Sequence, residues 1–437
     1  MPSSWRPPQA ERAIGLGFYA TSTPPVTGTV KAEADDFLVR EISSYPLPTP
    51  EGPFTVLRVR SRNWEQHELA ARLGAALGLP RHAISWAGTK DRRAVAERLL
   101  SYRGHPPERA VDLPDVEVLE AYRARDGLSL GHHYGNSFVI RITGLLPSDR
   151  ASERFQTAAD ELRTAGSVPN FFGPQRFGEV RPVTHLVGQA LVAGDTAAAV
   201  EVYLAGLPEV SDETGRTARL RYAETHDARA ALAEFPSAYR FERMILERLA
   251  RGASPESALR ALSRELRLLF VHAVQSWLFN LWVSARAEAA VPLDEPQVGD
   301  TLLRVARDGT TPSRDPVPVG TENLTECRET VRRGRARVAG PLIGYETRRP
   351  AGGPGEWYDQ VLEATGVRPT GFRLPSFPEL ASAGAWRPVT LPTPPIGIRL
   401  EDSGALVVAF ALPKGSYATV VLRELLKPGA GPTSAPS

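Results

Sequence analysis

Cysteine is almost missing: Cys327 stands alone in 437 residues. One thiol can form neither an internal disulfide nor a thiolate cluster, which fits a reducing cytoplasm and argues against a structural zinc site. The usual cofactor signatures are missing too. No GxxxxGK(S/T) phosphate loop occurs; Gly88-Thr89-Lys90-Asp91 has the lysine without the preceding glycine spacing or the following hydroxyl. No HExxH occurs, the eight histidines are dispersed, and the adjacent His132 and His133 would point to opposite faces of a strand. No metal is therefore expected. No apolar run approaches the length that spans a bilayer, and residues 1–7 lack the basic-then-apolar order of a signal peptide. A cytoplasmic protein without a membrane partner is expected. Charge lacks a dominant sign, since 52 Lys and Arg against 50 Asp and Glu leave +2. That balance permits a nucleic-acid partner if arginines cluster on one face, and does not require one.

With 42% apolar and 23% charged residues the chain can build ordinary cores, and its length suggests more than one domain. Residues 37–42 have strand character, as do residues 54–59 after the turn-prone stretch 48–53. A helix follows. Asn63 can cap it, Gln66 stands where a capping box places Glu or Gln, Leu69, Leu73, Ala76 and Leu77 share a face, and Gly78 and Pro80 stop it. The apolar run 83–87 reads as a strand delivering Gly88, while residues 94–100 suit either strand or helix. Residues 138–143 alternate as a strand. From about 150 to 290 the pattern is helical, its longest stretch running from about 256 to 286. Strand character returns at 406–410, and a turn at 413–416 starts a last helix with Tyr417, Val420, Val421 and Leu425 on one face. The tail 428–437 is small, proline-rich and expected to be disordered. Strands at both ends around a helical middle predict an α+β protein, with a sheet domain built from the two chain ends and interrupted by an insertion.

Glycine after a strand lets backbone approach a ligand closely, so the loop 88–91 is a candidate site with Asp91 as its carboxylate. Lys90 beside it would favour the ionised, nucleophilic form where the two groups approach. A solvated turn is the competing and commoner meaning of such residues. Phe138, two residues after Asn136, shares a strand face with Ile140 and Ile142. It reads as a core aromatic or as a stacking platform for a base. Glu41 ends an apolar run and would otherwise be an ordinary surface carboxylate. Residues 169–178 hold three phenylalanines with Asn170, Gln175 and Arg176. Aromatics interleaved with such groups suit unstacked bases and phosphates, and equally a packed domain junction. Arg332-Arg333-Gly334-Arg335-Ala336-Arg337 and Arg348-Arg349 are basic runs able to track a phosphate backbone or to stand as a solvated face.

Several of these segments fall in one order: Asp36-Phe37-Leu38-Val39-Arg40-Glu41-Ile42, then Trp86-Ala87-Gly88-Thr89-Lys90-Asp91-Arg92-Arg93-Ala94-Val95, then Gly135-Asn136-Ser137-Phe138. After them come Pro169-Asn170-Phe171-Phe172-Gly173-Pro174-Gln175-Arg176-Phe177-Gly178, Gln275-Ser276-Trp277-Leu278-Phe279-Asn280 and Leu412-Pro413-Lys414-Gly415-Ser416-Tyr417-Ala418-Thr419. From about residue 13 to 427 the succession resembles the TruD family of tRNA pseudouridine synthases, in its archaeal type. The resemblance implies a pseudouridine-synthase catalytic domain with a mixed, largely antiparallel sheet, at 1–168 and 386–427. A largely helical α/β TRUD-specific domain would interrupt it at 169–385, leaving 428–437 as the tail. It implies conversion of uridine to pseudouridine, at position thirteen of tRNA, without a cofactor; a monomer is expected. The family's catalytic aspartate falls on Asp91, its base-stacking phenylalanine on Phe138 with the amide of Asn136, and its active-site glutamate on Glu41. Lys90 joins the substrate-binding set, and Asn170, Phe171, Gln175 and Arg176 are the expected RNA contacts. Tyr45 is the nearest candidate for an aromatic beside the glutamate, and Lys90 or Arg423 for a cation holding the carboxylate ionised. Ala96-Glu97-Arg98 departs from the Thr-Thr-Gln-like run frequent in the family, so contacts just after the nucleophile are expected to differ.

The implied reaction breaks the N-glycosidic bond, turns the uracil and rejoins it through carbon. Asp91 would attack the base at C6 or deprotonate the sugar at C2′; both routes need one carboxylate beside the glycosidic bond. Extruding the uridine costs about a few kcal/mol, and stacking on Phe138 would return roughly 1–3 kcal/mol. Two rival readings stand: an RNA-binding or RNA-folding protein that keeps the scaffold without the chemistry, and an enzyme using Asp91 as general base on another nucleotide substrate. Mass-neutral isomerisation, detected by carbodiimide labelling of tRNA, separates the three.

Overall fold

Phe37, Val39 and Glu41 are buried and Leu38, Arg40 and Ile42 are exposed, so a strand with side chains alternating between faces carries one carboxylate on its inner side. The computed structural model describes residues 4–80, 82–107, 111–178, 180–305 and 312–432. The chain divides into two compact units, one of Thr21–Val168 with Pro392–Ala430, the other of Met1–Ala20, Pro169–Leu391 and Gly431–Ser437.

In the first unit the strands run β1 (Thr29–Val30), β2 (Phe37–Ile42), β3 (Phe54–Arg62), β4 (Ser85–Trp86), β5 (Val95–Arg103), β6 (Val116–Ala124) and β7 (Gly135–Thr143), with helix α1 (Gln66–Ala76) between β3 and β4 and α2 (Ala151–Ala165) after β7. The second unit carries helices α3 (Thr184–Val192) and α4 (Arg264–Glu288) and strands β8 (Thr301–Val305), β9 (Pro312–Pro318), β10 (Ala336–Leu342) and β11 (Ala385–Pro388). The chain then returns to the first unit as β12 (Gly397–Leu400), β13 (Leu406–Pro413) and α5 (Ala418–Leu426).

The large sheet has the order β12-β13-β7-β2-β5-β3-β6, with β1 on β7 and β4 on β5. Only β2 and β5 pair in parallel; the other pairs are antiparallel, so the sheet is mixed and largely antiparallel, as expected. Two apolar clusters lie along its inner face. One joins Phe37, Val39, Ala96, Phe138, Ile140 and Phe410 to Phe155 of α2 and Leu425 of α5. The other joins Leu57, Val59 and Leu100 to Leu69 and Leu73 of α1. Arg98 falls between Ala96 in the first cluster and Leu100 in the second, so the clusters meet at a polar seam.

Local details depart from the sequence expectations. Glu65, and not Asn63, caps α1; its carboxylate accepts from the His67 and Glu68 amides. Asn63 holds φ +61, and Gln66, freed from a capping role, turns inward and is 1% exposed. The ambiguous run after Asp91 is a strand, because β5 hydrogen-bonds to both β2 and β3. The predicted long helix is split before Ser263, whose hydroxyl caps α4.

In the second unit the strand order is β9-β8-β10-β11, all antiparallel. Because β11 pairs with β10, residues 385–388 belong to this unit, and the return to the large sheet begins at Pro392 in place of the expected 386. The first twenty residues also group here, and Trp5–Arg6 pairs with Gly431–Pro432 of the tail expected to be disordered; residues 433–437 lie outside the described residues. The helix α4, against the expectation of no such run, is long and apolar enough to cross a membrane; its most apolar stretch is 67% buried inside the protein, as a core helix is.

Candidate active site

Strand pairing builds the site's floor. Glu41 faces Asn136 across β2 and β7, and Val39 faces Phe138. Phe138 in turn faces Phe410 of β13. These side chains share the inner face, with the Phe138 ring 5.9 Å from Phe37 and 5.6 Å from Phe410. Phe138 is therefore part of the core and 8% exposed. Glu41, which the sequence alone leaves open to a surface reading, is 4% exposed.

A buried carboxylate needs compensating charge. Lys90 supplies it, its Nζ 2.8 Å from Glu41 Oε2 with both side chains almost fully enclosed. Burial pulls the Lys90 ammonium below its ordinary range; Glu41 opposes that shift and Arg98 adds to it. One step beyond the Arg40–Glu97 pairing, the parallel register of β2 and β5 sets Arg98 beside Glu41. The Arg98 guanidinium donates to Gln66 Oε1 and Ser61 Oγ. Burial lowers it to about 10, against the attraction of Glu41. The departure from the family's run thus places a buried arginine in the polar seam. Its neighbour Glu97 faces outward and pairs with Arg40 and Arg60.

Asp91 sits on the loop entering β5. Its carboxylate Oδ2 accepts from Lys31 Nζ at 2.6 Å, and its side chain is 37% exposed against 11% for Lys31. Lys31 lies 4.2 Å over the Phe37 ring and holds φ +58, a left-handed backbone uncommon for lysine. The loop runs tightly past His133: a Cβ on Gly88 would stand 2.7 Å from that ring, so any other residue here would have to displace the imidazole. Burial and the nearby Lys90 charge hold the His133 imidazolium below its ordinary range. Glu41 Oε1, Asn136 Oδ1 and His133 Nδ1 are buried and have no hydrogen-bond partner among the described residues. Such atoms cost about 1–3 kcal/mol each unless a partner is supplied, which marks the seam as a place for a polar ligand. Among the described residues no three His, Cys, Asp or Glu side chains gather as metal ligands.

Asp91, Lys90, Glu41, Asn136 and Phe138 are thus gathered in one unit, with two differences in pairing. The cation on Asp91 is Lys31, because Lys90 turns inward to Glu41, and Arg423 of α5 pairs with Glu424. The aromatic beside the floor is Phe37, while Tyr45 packs on His132. The four residues expected to touch RNA lie in the other unit. Phe171 is fully buried against Phe18, and Asn170 donates its amide to Pro388 O and accepts from Arg387. Both serve their own unit's packing. Arg176 and Gln175 are half-buried, and Arg176 donates to Ser276 Oγ. Among the basic runs, Arg332 and Arg333 pair with Glu329, and Arg349 with Asp359.

Residues 13–425 match the family described as tRNA pseudouridine synthase D (TruD). A protein of Halobacterium salinarum named tRNA pseudouridine synthase D is 37% identical over 432 residues, covering 96% of this chain and 97% of its own. Its namesake in Natronomonas pharaonis is 38% identical, with 95% and 97% covered. A crystal structure of a TruD protein from Methanosarcina mazei superposes with a TM-score of 0.80 at 33% identity, covering 96% of this chain and 98% of that one. With the α+β sheet unit and its insertion in place, these matches over nearly the full length show that the chain belongs to the TruD family.

Proposed function

We propose that this chain isomerises uridine to pseudouridine in tRNA, at position 13, with Asp91 as the carboxylate that acts beside the glycosidic bond. The observation that carries the reading is the pairing of a reachable Asp91 with Lys31, next to a floor of Glu41, Asn136 and Phe138. Lys31 fixes Oδ2 and orients the carboxylate, so that Oδ1 is presented to the reacting carbon, whether C6 of the base or C2′ of the sugar. The open acceptors Glu41 Oε1 and Asn136 Oδ1 suit a ring with N–H donors. Uracil offers N3–H when bound through N1, and both N1–H and N3–H once joined through C5. A site rich in acceptors therefore follows the base through its turn. Isomerisation changes no oxidation state and loses no group, so side chains that hold and orient the base suffice for this scheme. tRNA transcripts carrying uridine or cytidine at position 13, incubated with the protein and probed by carbodiimide labelling with primer extension, test the assignment. A stop at position 13 in the uridine transcript alone is expected. Conversion confined to other positions, or none, would overturn it.

A further inference from the structure

The second unit contains a cavity of about 570 Å³ between the ends of β8 and β9, the segment 346–351 and the edge strand β11. That volume is of the size that holds a small organic ligand. Its walls are Pro316, Pro318 and the half-buried Trp386, flat apolar surfaces set around a slot. Close backbone approaches shape the rim: a Cβ on Gly384 would stand 2.2 Å from Thr347 Oγ1, and one on Gly299 2.0 Å from Ala351 O. Two of the four charged groups in the lining are already engaged. Asp300 is paired with the buried Arg286 and Arg349 with Asp359. Arg348 and Glu346, both exposed, have no ion pair among the described residues, and both line the cavity.

We infer that this cavity binds one unstacked nucleotide of the RNA substrate, with its base against Trp386, its phosphate at Arg348 and a base N–H donor at Glu346. Tryptophan is a stacking surface for any base, and an unpaired guanidinium at the rim is the complement of one phosphate. A carboxylate facing the same slot selects bases that carry amino or imide hydrogens. The mixed charge fits a single nucleotide and not a length of duplex, which would need a broader cationic track. The inference rests on the proposal that the chain acts on tRNA, and it adds a second contact point in the inserted unit.

Equilibrium binding of unmodified tRNA to the full chain tests it, with Trp386→Ala, Trp386→Phe and Arg348→Glu compared with wild type. Trp386→Ala is expected to weaken binding about 5- to 150-fold, the range for losing one stacked base, and Arg348→Glu about tenfold or more, the value of one charged hydrogen bond; both should raise KM while kcat at saturating tRNA is unchanged. Trp386→Phe, which keeps a ring, should retain most of the affinity. Wild-type affinity in Arg348→Glu and in a Trp386→Ala protein with a wild-type melting curve would overturn the inference. A loss confined to Arg348→Glu would also overturn it, because a cationic surface serving any acidic partner would then suffice. If wild type binds tRNA without isomerising it and Trp386→Ala still loses that binding, the proposed activity falls and the nucleotide pocket stands.

Discussion

Replacing Glu41 by glutamine leaves Lys90 and Arg98 enclosed together without their carboxylate. The structure allows the cost to be ranked. The Glu41 and Lys90 side chains are 1% and 2% exposed, so water cannot take the missing partner's place. Breaking a buried pair by removing one member costs about 3–5 kcal/mol. Glu41→Gln strands two cations and belongs at the upper end, about 5 kcal/mol. Lys90→Met leaves Glu41 beside Arg98 and belongs at the lower end, about 3 kcal/mol. Hydrogen exchange of the β2 and β5 amides in increasing urea reads this unit alone. The pH dependence is a second check. Burial lowers the folded Lys90 pKa below its ordinary 10.5. Between the folded value and 10.5 the unfolded chain binds more protons, so this lysine makes stability rise with pH in that window. Glu41 opposes the shift, so Glu41→Gln should extend the window to lower pH. Equal costs for the two variants, or a larger cost for Lys90→Met, would refute the three-charge seam.

Other consequences follow from single contacts. Lys31→Gln should lower the single-turnover rate about tenfold or more, the value of a charged hydrogen bond to the acting carboxylate, with tRNA affinity unchanged; a wild-type rate would remove Lys31 from the site. His185 in α3 is 3% exposed against Phe177 and Trp277, and burial holds it at about 4 instead of 6.5. Between those values the unfolded chain binds a proton the folded chain refuses, so stability falls as pH drops from 6.5 to about 4. The loss is about 3 kcal/mol. His185→Phe should remove that share of the acid loss, and an unchanged slope in urea titrations across the window would contradict it.

Much of the sheet was legible because its strands alternate, as residues 37–42 and 138–143 do. Alternation also carries a signal for Glu41 that the surface reading passes over: it shares a side with Phe37 and Val39, and a carboxylate there must be buried. Lys31 left no such trace. It is sixty positions from Asp91, and only the pairing of β1, β2, β7 and β5 brings the two together. Gln66 was misassigned because cap positions are decided by backbone angles, and Glu65 holds the extended conformation that a cap requires. The segment 169–178 has the composition of a base-binding loop, yet Asn170 and Phe171 are spent inside their own unit. Composition alone does not say which way an aromatic points.

The most direct measurement is uridine-to-pseudouridine conversion in tRNA by wild type and by Asp91→Asn, followed by carbodiimide labelling. The amide keeps the shape and a hydrogen-bonding oxygen while losing the nucleophilic charge. No conversion by Asp91→Asn is expected, with tRNA affinity and melting retained. Conversion by that variant at a rate near wild type would contradict it.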